Sequence, residues 1–308
     1  MGEWERRRTA DQPCSYRGVL AFAGLIALIF TTGVDIMAAT PLEKVASRYA
    51  TLDGMRIHYK SIGSGSHAAV FVHGWTCDMS SWRFQVPALD GRIRVILIDL
   101  PGHGLSDKPE ITYTMNLFAR SIAAVIRDAG VDEAVLIGHS MGTPVIRQFY
   151  RLFPKRTRAL VAVDGALRPY MTDPAAIEKF MAVFEGPGYK DAIAGMLDHM
   201  IPATLPAELR DSIRTPMLSA PPHVVAGAMR SMYEPAIWKE DTINVPLQVI
   251  LARSPFWTED YESFVRKLAP QVDYNVMDEV GHFLMLEKPD ELNRLLAGFL
   301  GKLGMLKP

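Results

Sequence analysis

The sequence predicts an α/β fold: a mostly parallel central sheet, flanked by helices and interrupted by one helical insertion. Three observations carry that prediction. Short apolar runs at 68–72, 159–163 and 247–252, the last interrupted by Gln248, alternate with segments of helical periodicity. Runs of this kind suit strands buried on both faces, the usual condition of parallel strands, and the connections are short, as βαβ units require. From 168 to 241 this alternation stops, and helical patterns punctuated by prolines take its place.

Each element follows in order. Asp53-Gly54 is a tight-turn signal inside a hairpin over 50–62, and Gly63-Ser64-Gly65-Ser66 is a loop. The strand at 68–72 runs into His73-Gly74-Trp75. Residues 80–89 read as a helix and 92–100 as a strand, which ends in Asp99-Leu100-Pro101-Gly102-His103-Gly104. The spacing of Leu117, Phe118, Ile122, Val125 and Ile126 predicts a helix over 116–129, with Gly130 as its C-cap. An apolar strand then enters Gly138-His139-Ser140-Met141-Gly142, a helix covers 141–153, and Pro154 stops it. The strand at 159–163 closes on Asp164-Gly165. Seven of the sixteen methionines (Met171, Met181, Met196, Met200, Met217, Met229 and Met232) fall in the insertion. Methionine fits irregular apolar ligands, but a helical insertion also needs a core, and most of these residues are expected to form it. After it come a strand at 247–252, a helix at 259–268, a strand at 274–277, Gly281-His282-Phe283 and a last helix at 290–300.

Composition sets the limits. The chain has 308 residues, 49% hydrophobic and 22% charged, which suits a globular chain with a large core. It carries 33 basic and 34 acidic residues, net −1, with no basic run beyond Arg6-Arg7-Arg8, so nucleic acid is not an expected partner. Cys14 and Cys77 supply neither metal-ligand spacing nor a disulfide framework, and no metal or cofactor is expected. Arg6, Arg7, Arg8 and Arg17 precede an uncharged stretch at 18–34, followed by Met37-Ala38-Ala39. That pattern describes a secretory leader ending near Ala38 or Ala39, and hence export to the periplasm or outside the cell. Two alternatives stand beside it: retention as a membrane anchor, or a true start at Met37 and a cytoplasmic protein. The expected layout is a leader or anchor at 1–39, the α/β core at 40–167 and 242–308, and a helical cap at 168–241.

The Gly-x-Ser-x-Gly pattern at 138–142 carries the chemistry. A serine in a tight strand-to-helix turn presents its hydroxyl above the sheet, close to the first N–H groups of the following helix. Together with the His73-Gly74-Trp75 turn, the Asp99–Gly104 loop and Gly281-His282 before the last helix, it makes the chain resemble the α/β-hydrolase family from about Tyr49 onward. The resemblance implies the α/β-hydrolase fold with a helical cap. It also implies that Ser140 is a nucleophile, that His282 is its base, and that the backbone N–H groups of Trp75 and Met141 are oxyanion donors. His73, Asp99, His103 and His139 are expected to shape loops. Most of the family places the acid just after the strand at 247–252, where this chain reads Arg253-Ser254-Pro255-Phe256-Trp257-Thr258. Asp164 is therefore the expected acid, as in branches that use the preceding strand, with Glu259 and Asp260 as alternatives. Haloalkane dehalogenases and epoxide hydrolases share the layout but carry aspartate in the elbow. Ser140 points instead to hydrolysis of a small-molecule carboxylic ester through an acyl-enzyme, with apolar acyl or aryl groups suited to the insertion. A C–C bond hydrolase, a cofactor-free haloperoxidase or perhydrolase, and a small-molecule receptor on the same scaffold are the alternatives.

Overall fold

In a computed structural model, residues 42–307 are described. The leader or anchor expected at 1–39 lies outside the described residues. Eight strands form one sheet in the order β1-β2-β4-β3-β5-β6-β7-β8. They are β1 (Arg48–Leu52), β2 (Met55–Ile62), β3 (His67–Val72), β4 (Arg94–Ile98), β5 (Glu133–His139), β6 (Thr157–Val163), β7 (Leu247–Ala252) and β8 (Val272–Met277). β1 and β2 form the antiparallel hairpin turned by Asp53-Gly54, and β2 is antiparallel to β4. All pairings from β4 through β3 and β5 to β8 are parallel. The central runs are apolar throughout because helices cover both faces: Val70, Phe71, Val135, Ile137, Val161 and Val249 are fully buried.

The helices of the first half are α1 (Val86–Leu89), α2 (Met115–Asp128) and α3 (Gly142–Leu152). The Thr114 side chain caps α2 by accepting from the Leu117 N–H, and Gly130, at φ +65°, lies just past its end. The helix expected over 80–89 is instead a 3₁₀ turn at Met79–Trp82 followed by the single turn α1. Pro87 explains the break: it has no N–H to bond back to Arg83, so the helix restarts beneath it.

Between β6 and β7 lie α4 (Pro174–Glu185), α5 (Tyr189–Met200), α6 (Ala207–Ser219) and α7 (Pro222–Ser231). Asp173 caps α4, and Pro174 and Pro222 open α4 and α7, while Pro169, Pro187, Pro202, Pro206 and Pro221 lie in the connections and Pro216 lies inside α6. After β7 comes α8 (Glu259–Leu268), capped by Thr258, with three acids in its first turn and Arg266 and Lys267 in its last. After β8 come the short α9 (Leu284–Glu287), absent from the sequence reading, and α10 (Pro289–Lys302).

One topological fact positions the site. The chain leaves β3 for β4 on one side, then returns to place β5 on the other side of β3. The loops after β3 and β5 therefore diverge at the carboxyl ends of neighbouring strands, the crevice where open α/β sheets bind ligands.

Candidate active site

Ser140 sits at the end of β5 with φ +52°, a left-handed angle that a non-glycine residue adopts only when its surroundings impose it. The imposition is visible. Its N–H donates to the Val163 carbonyl at 3.0 Å, and its own carbonyl accepts from the Thr143 N–H at 2.9 Å. The flanking glycines are steric necessities. A Cβ on Gly138 would lie 2.3 Å from the Gly142 carbonyl oxygen, and one on Gly142 would lie 2.6 Å from that of Val72. The elbow is thus wedged between its own helix and the end of β3. Gly74, in the turn after β3, is packed against it: a Cβ there would lie 3.2 Å from Cβ of Ser140. Trp75 of that turn, Met141 and Ser140 line the same cavity. The Trp75 indole donates to the Val225 carbonyl at 3.0 Å, tying the turn to α7.

Asp164, at the end of β6, also has positive φ (+42°) and is 5% exposed. Its Oδ2 lies 2.6 Å from Nδ1 of His282. Its Oδ1 accepts the Ala252 N–H at 2.9 Å and the Trp257 Nε1–H at 3.1 Å. Because Oδ2 accepts, Nδ1 carries the proton, and Nε2 of a neutral His282 is left with its lone pair. His282, Asp164 and Ser140 all face the cavity. Glu259 and Asp260, the alternative acids, are exposed in the first turn of α8, and Asp260 pairs with Arg168 at 2.7 Å. Of the three carboxylates singled out in the sequence, Asp164 is the one brought to the imidazole.

The His282 loop is held from both ends. The Glu287 carboxylate accepts the N–H groups of Gly281 at 2.6 Å and Phe283 at 3.1 Å, on either side of His282. Burial raises the Glu287 pKa, against the pull of these two N–H donors. His139, the variable residue of the elbow, is fully buried, with Nε2 2.8 Å from the His282 carbonyl oxygen. Burial, then the neighbouring His282, push its pKa well below the ordinary value. A neutral Nε2–H tautomer donating to that carbonyl satisfies both facts.

The residues expected to shape loops sit behind the elbow. His73 Nδ1 is 2.8 Å from the Gly74 carbonyl oxygen, and its Nε2 accepts the Leu100 N–H at 3.0 Å. Asp99 accepts the N–H groups of Met79 and Leu105, each at 2.9 Å, and lies 2.7 Å from Nδ1 of His58. Burial opposes its ionisation, yet these donors hold its carboxyl below the ordinary range.

The cavity has a volume of about 620 Å³, within the range of small-molecule sites. Five of the seven methionines of the 168–241 segment line it: Met196, Met200, Met217, Met229 and Met232. They also pack the core, as expected: Met217 and Met229 belong to it, and Met196, Met200 and Met232 lie against it. Met181 alone among the seven is fully buried, packed in that core. Phe256 (73% exposed) and Tyr170 (58% exposed) stand in contact at the cavity's rim, ring centres 6.5 Å apart. Arg253, the one lysine or arginine in the lining among the described residues, is ion-paired with Asp278. Sequence reasoning missed Trp257, Glu287 and the aromatic rim. Glu287 lies five residues past His282, a local signal that could have been read; Trp257 has none, because its partner is 93 residues away.

Known proteins resemble this chain in sequence and fold. The family model described as "Alpha/beta hydrolase family" matches residues 69–295. The chain is 25% identical over 263 residues to the dihydrolipoyllysine-residue acetyltransferase component of the acetoin cleaving system of Cupriavidus necator, covering 83% of this chain and 69% of that protein. It is 31% identical over 160 residues to bifunctional epoxide hydrolase 2 of Rattus norvegicus, covering 48% of this chain and 29% of that protein. The chain thus spans under a third of the epoxide hydrolase and about two thirds of the acetyltransferase component. A thermophilic esterase from Thermogutta terrifontis superposes with a TM-score of 0.72 at 26% identity, covering 84% of this chain and 99% of that one. With a family model spanning most of the described residues and an eight-stranded sheet of matching layout, the chain belongs to the alpha/beta hydrolase family.

Proposed function

We propose that this protein is a serine hydrolase that cleaves carboxylic esters bearing apolar acyl or aryl groups. One observation carries the reading: a strained, positive-φ serine and a carboxylate-oriented imidazole open onto one largely apolar cavity. The chemistry runs in two halves. Ester binding brings the carbonyl carbon to the Ser140 hydroxyl. Nε2 of His282 accepts the hydroxyl proton as Oγ bonds to that carbon, and Asp164 stabilises the imidazolium without taking its proton. The N–H groups of Trp75 and Met141 hold the developing oxyanion. Collapse expels the alcohol, which takes the proton from Nε2 and leaves an acyl-enzyme on Ser140. Water then attacks, its proton passing to Nε2, and the acid departs with Oγ reprotonated. The serine speaks against epoxide opening, which in this fold uses an elbow aspartate. A 2-hydroxy-6-oxo-dienedioate, the kind of substrate named for one relative, would bring two carboxylates to a cavity whose one guanidinium is already paired. Neutral esters fit the lining better.

The test is hydrolysis of p-nitrophenyl esters across acyl lengths, with fluorophosphonate labelling and mapping of the modified peptide. Turnover with label on Ser140, both lost in Ser140→Ala, is the expected result. A wild-type protein that hydrolyses no ester of any acyl length would end the reading.

A further inference from the structure

The segment after β7 holds no carboxylate before Glu259, and Trp257 is the residue whose side chain it brings to Asp164. The indole is 3.1 Å from Oδ1 of Asp164, and that oxygen also accepts the Ala252 N–H. A carboxylate on a short side chain has two equivalent oxygens and can turn about χ2. Two donors converging on Oδ1 from the end of β7 remove that freedom and leave Oδ2 aimed at Nδ1 of His282. One of the two is main chain; the other can be removed by substitution. Trp257 is itself held. Its N–H donates to the Ser254 carbonyl at 3.1 Å, and its ring packs on Tyr261 with centres 4.8 Å apart. The Tyr261 hydroxyl in turn accepts the Leu167 N–H at 3.0 Å, three residues after Asp164. The Asp164 loop and the start of α8 are therefore bound together, with the indole N–H at the junction and the ring on the cavity wall.

We infer that Trp257 is a positioning residue for hydrolysis, its Nε1–H fixing the Asp164 carboxylate so that His282 keeps the tautomer and direction the reaction needs. This rests on the role proposed above for Asp164. Without the indole donor Oδ1 keeps only the Ala252 N–H, the carboxylate turns more freely about χ2, and Oδ2 is held less firmly on Nδ1 of His282, so kcat suffers while KM does not.

The experiment compares wild type, Trp257→Phe and a protein with 3-benzothienylalanine at 257, which keeps the bicyclic shape and lacks the N–H. Each is assayed for kcat and KM, and for the rate of Ser140 labelling by a fluorophosphonate. The expected result is a kcat about tenfold lower in both variants, with KM within about twofold in the benzothienyl protein. Labelling of Ser140 slows in parallel. Wild-type kcat and a wild-type labelling rate in the benzothienyl protein overturn the inference, even if Trp257→Phe fails to fold. A wild type that neither turns over esters nor labels at Ser140 overturns instead the hydrolase reading on which this one stands.

Discussion

Two carboxylate–imidazole pairs of nearly the same geometry lie among the described residues, each with a serine nearby. In one, Oδ2 of Asp164 is 2.6 Å from Nδ1 of His282, and Ser140 stands on the same cavity. In the other, Oδ2 of Asp99 is 2.7 Å from Nδ1 of His58, whose Nε2 is 2.8 Å from the Ser47 hydroxyl. The second set is the better formed on paper, since its serine already contacts the ring. It lacks everything around the pair. The His58 and Asp99 side chains are 2% and 3% exposed, whereas that of His282 is 17% exposed and meets the cavity. Ser47 lies just before β1, without the positive φ and helix start that Ser140 has. The comparison teaches that Ser, His and Asp in hydrogen-bonded sequence are not enough to mark a site. The Ser140 site is set apart by a strained elbow and an apolar cavity, while the pair at His58 joins the β1–β2 hairpin to the 99–107 loop.

Breaking the comparison at its strongest point gives the largest effect. Ser140→Ala is expected to lower kcat by about a million-fold, while Ser47→Ala leaves kcat/KM unchanged; steady-state ester hydrolysis by both proteins checks this. Asp164→Asn is expected to cost about ten-thousand-fold in kcat, because the amide cannot hold Nδ1–H in place. Glu259→Gln and Asp260→Asn, on the exposed first turn of α8, should stay within about twofold of wild type in the same assay.

The sharper test is Asp99→Asn, where the expected loss is in stability: about 2 kcal/mol by urea denaturation, with Ser140 in the folded fraction still labelled by a fluorophosphonate. Asp99 has a depressed folded-state pKa, so its stabilisation is fully present above the ordinary value of 3.8 and is lost as pH falls through the lower folded value. Melting temperature followed from pH 6 to pH 3 should therefore fall more steeply below about pH 4 in wild type than in Asp99→Asn. The smallest effect belongs to Ser47→Ala, expected within about 0.5 kcal/mol because water can replace an exposed hydroxyl.

The same contrast explains what could be read in advance. The elbow, the turn after β3 and the two residues closing β6 are local features, because strand runs and glycine spacing dictate them over five to ten residues. Asp164 was reachable through the family resemblance, because the turn at 253–258 holds no acid and some branches of the family use the end of the preceding strand. The Trp257–Asp164 bond could not be read, because it joins ends of two parallel strands across the helical insertion, and an indole in a loop has no periodicity to betray its partner. The methionines of the insertion were visible as a composition. Which of them line the cavity was not, because that depends on which face of each helix meets the sheet. The helix expected at 80–89 failed over one residue, Pro87, whose missing N–H outweighed the apolar spacing of Trp82, Val86 and Leu89.

The bond between Asp164 and His282 spans 118 positions, and its second half arrives only after β8 has been laid down. With the roles proposed above, a chain emerging from the ribosome carries its nucleophile and its acid before its base, and Val280 to Phe283, which line the cavity, are made at the same late point. A chain cut short before β8 would be chemically silent.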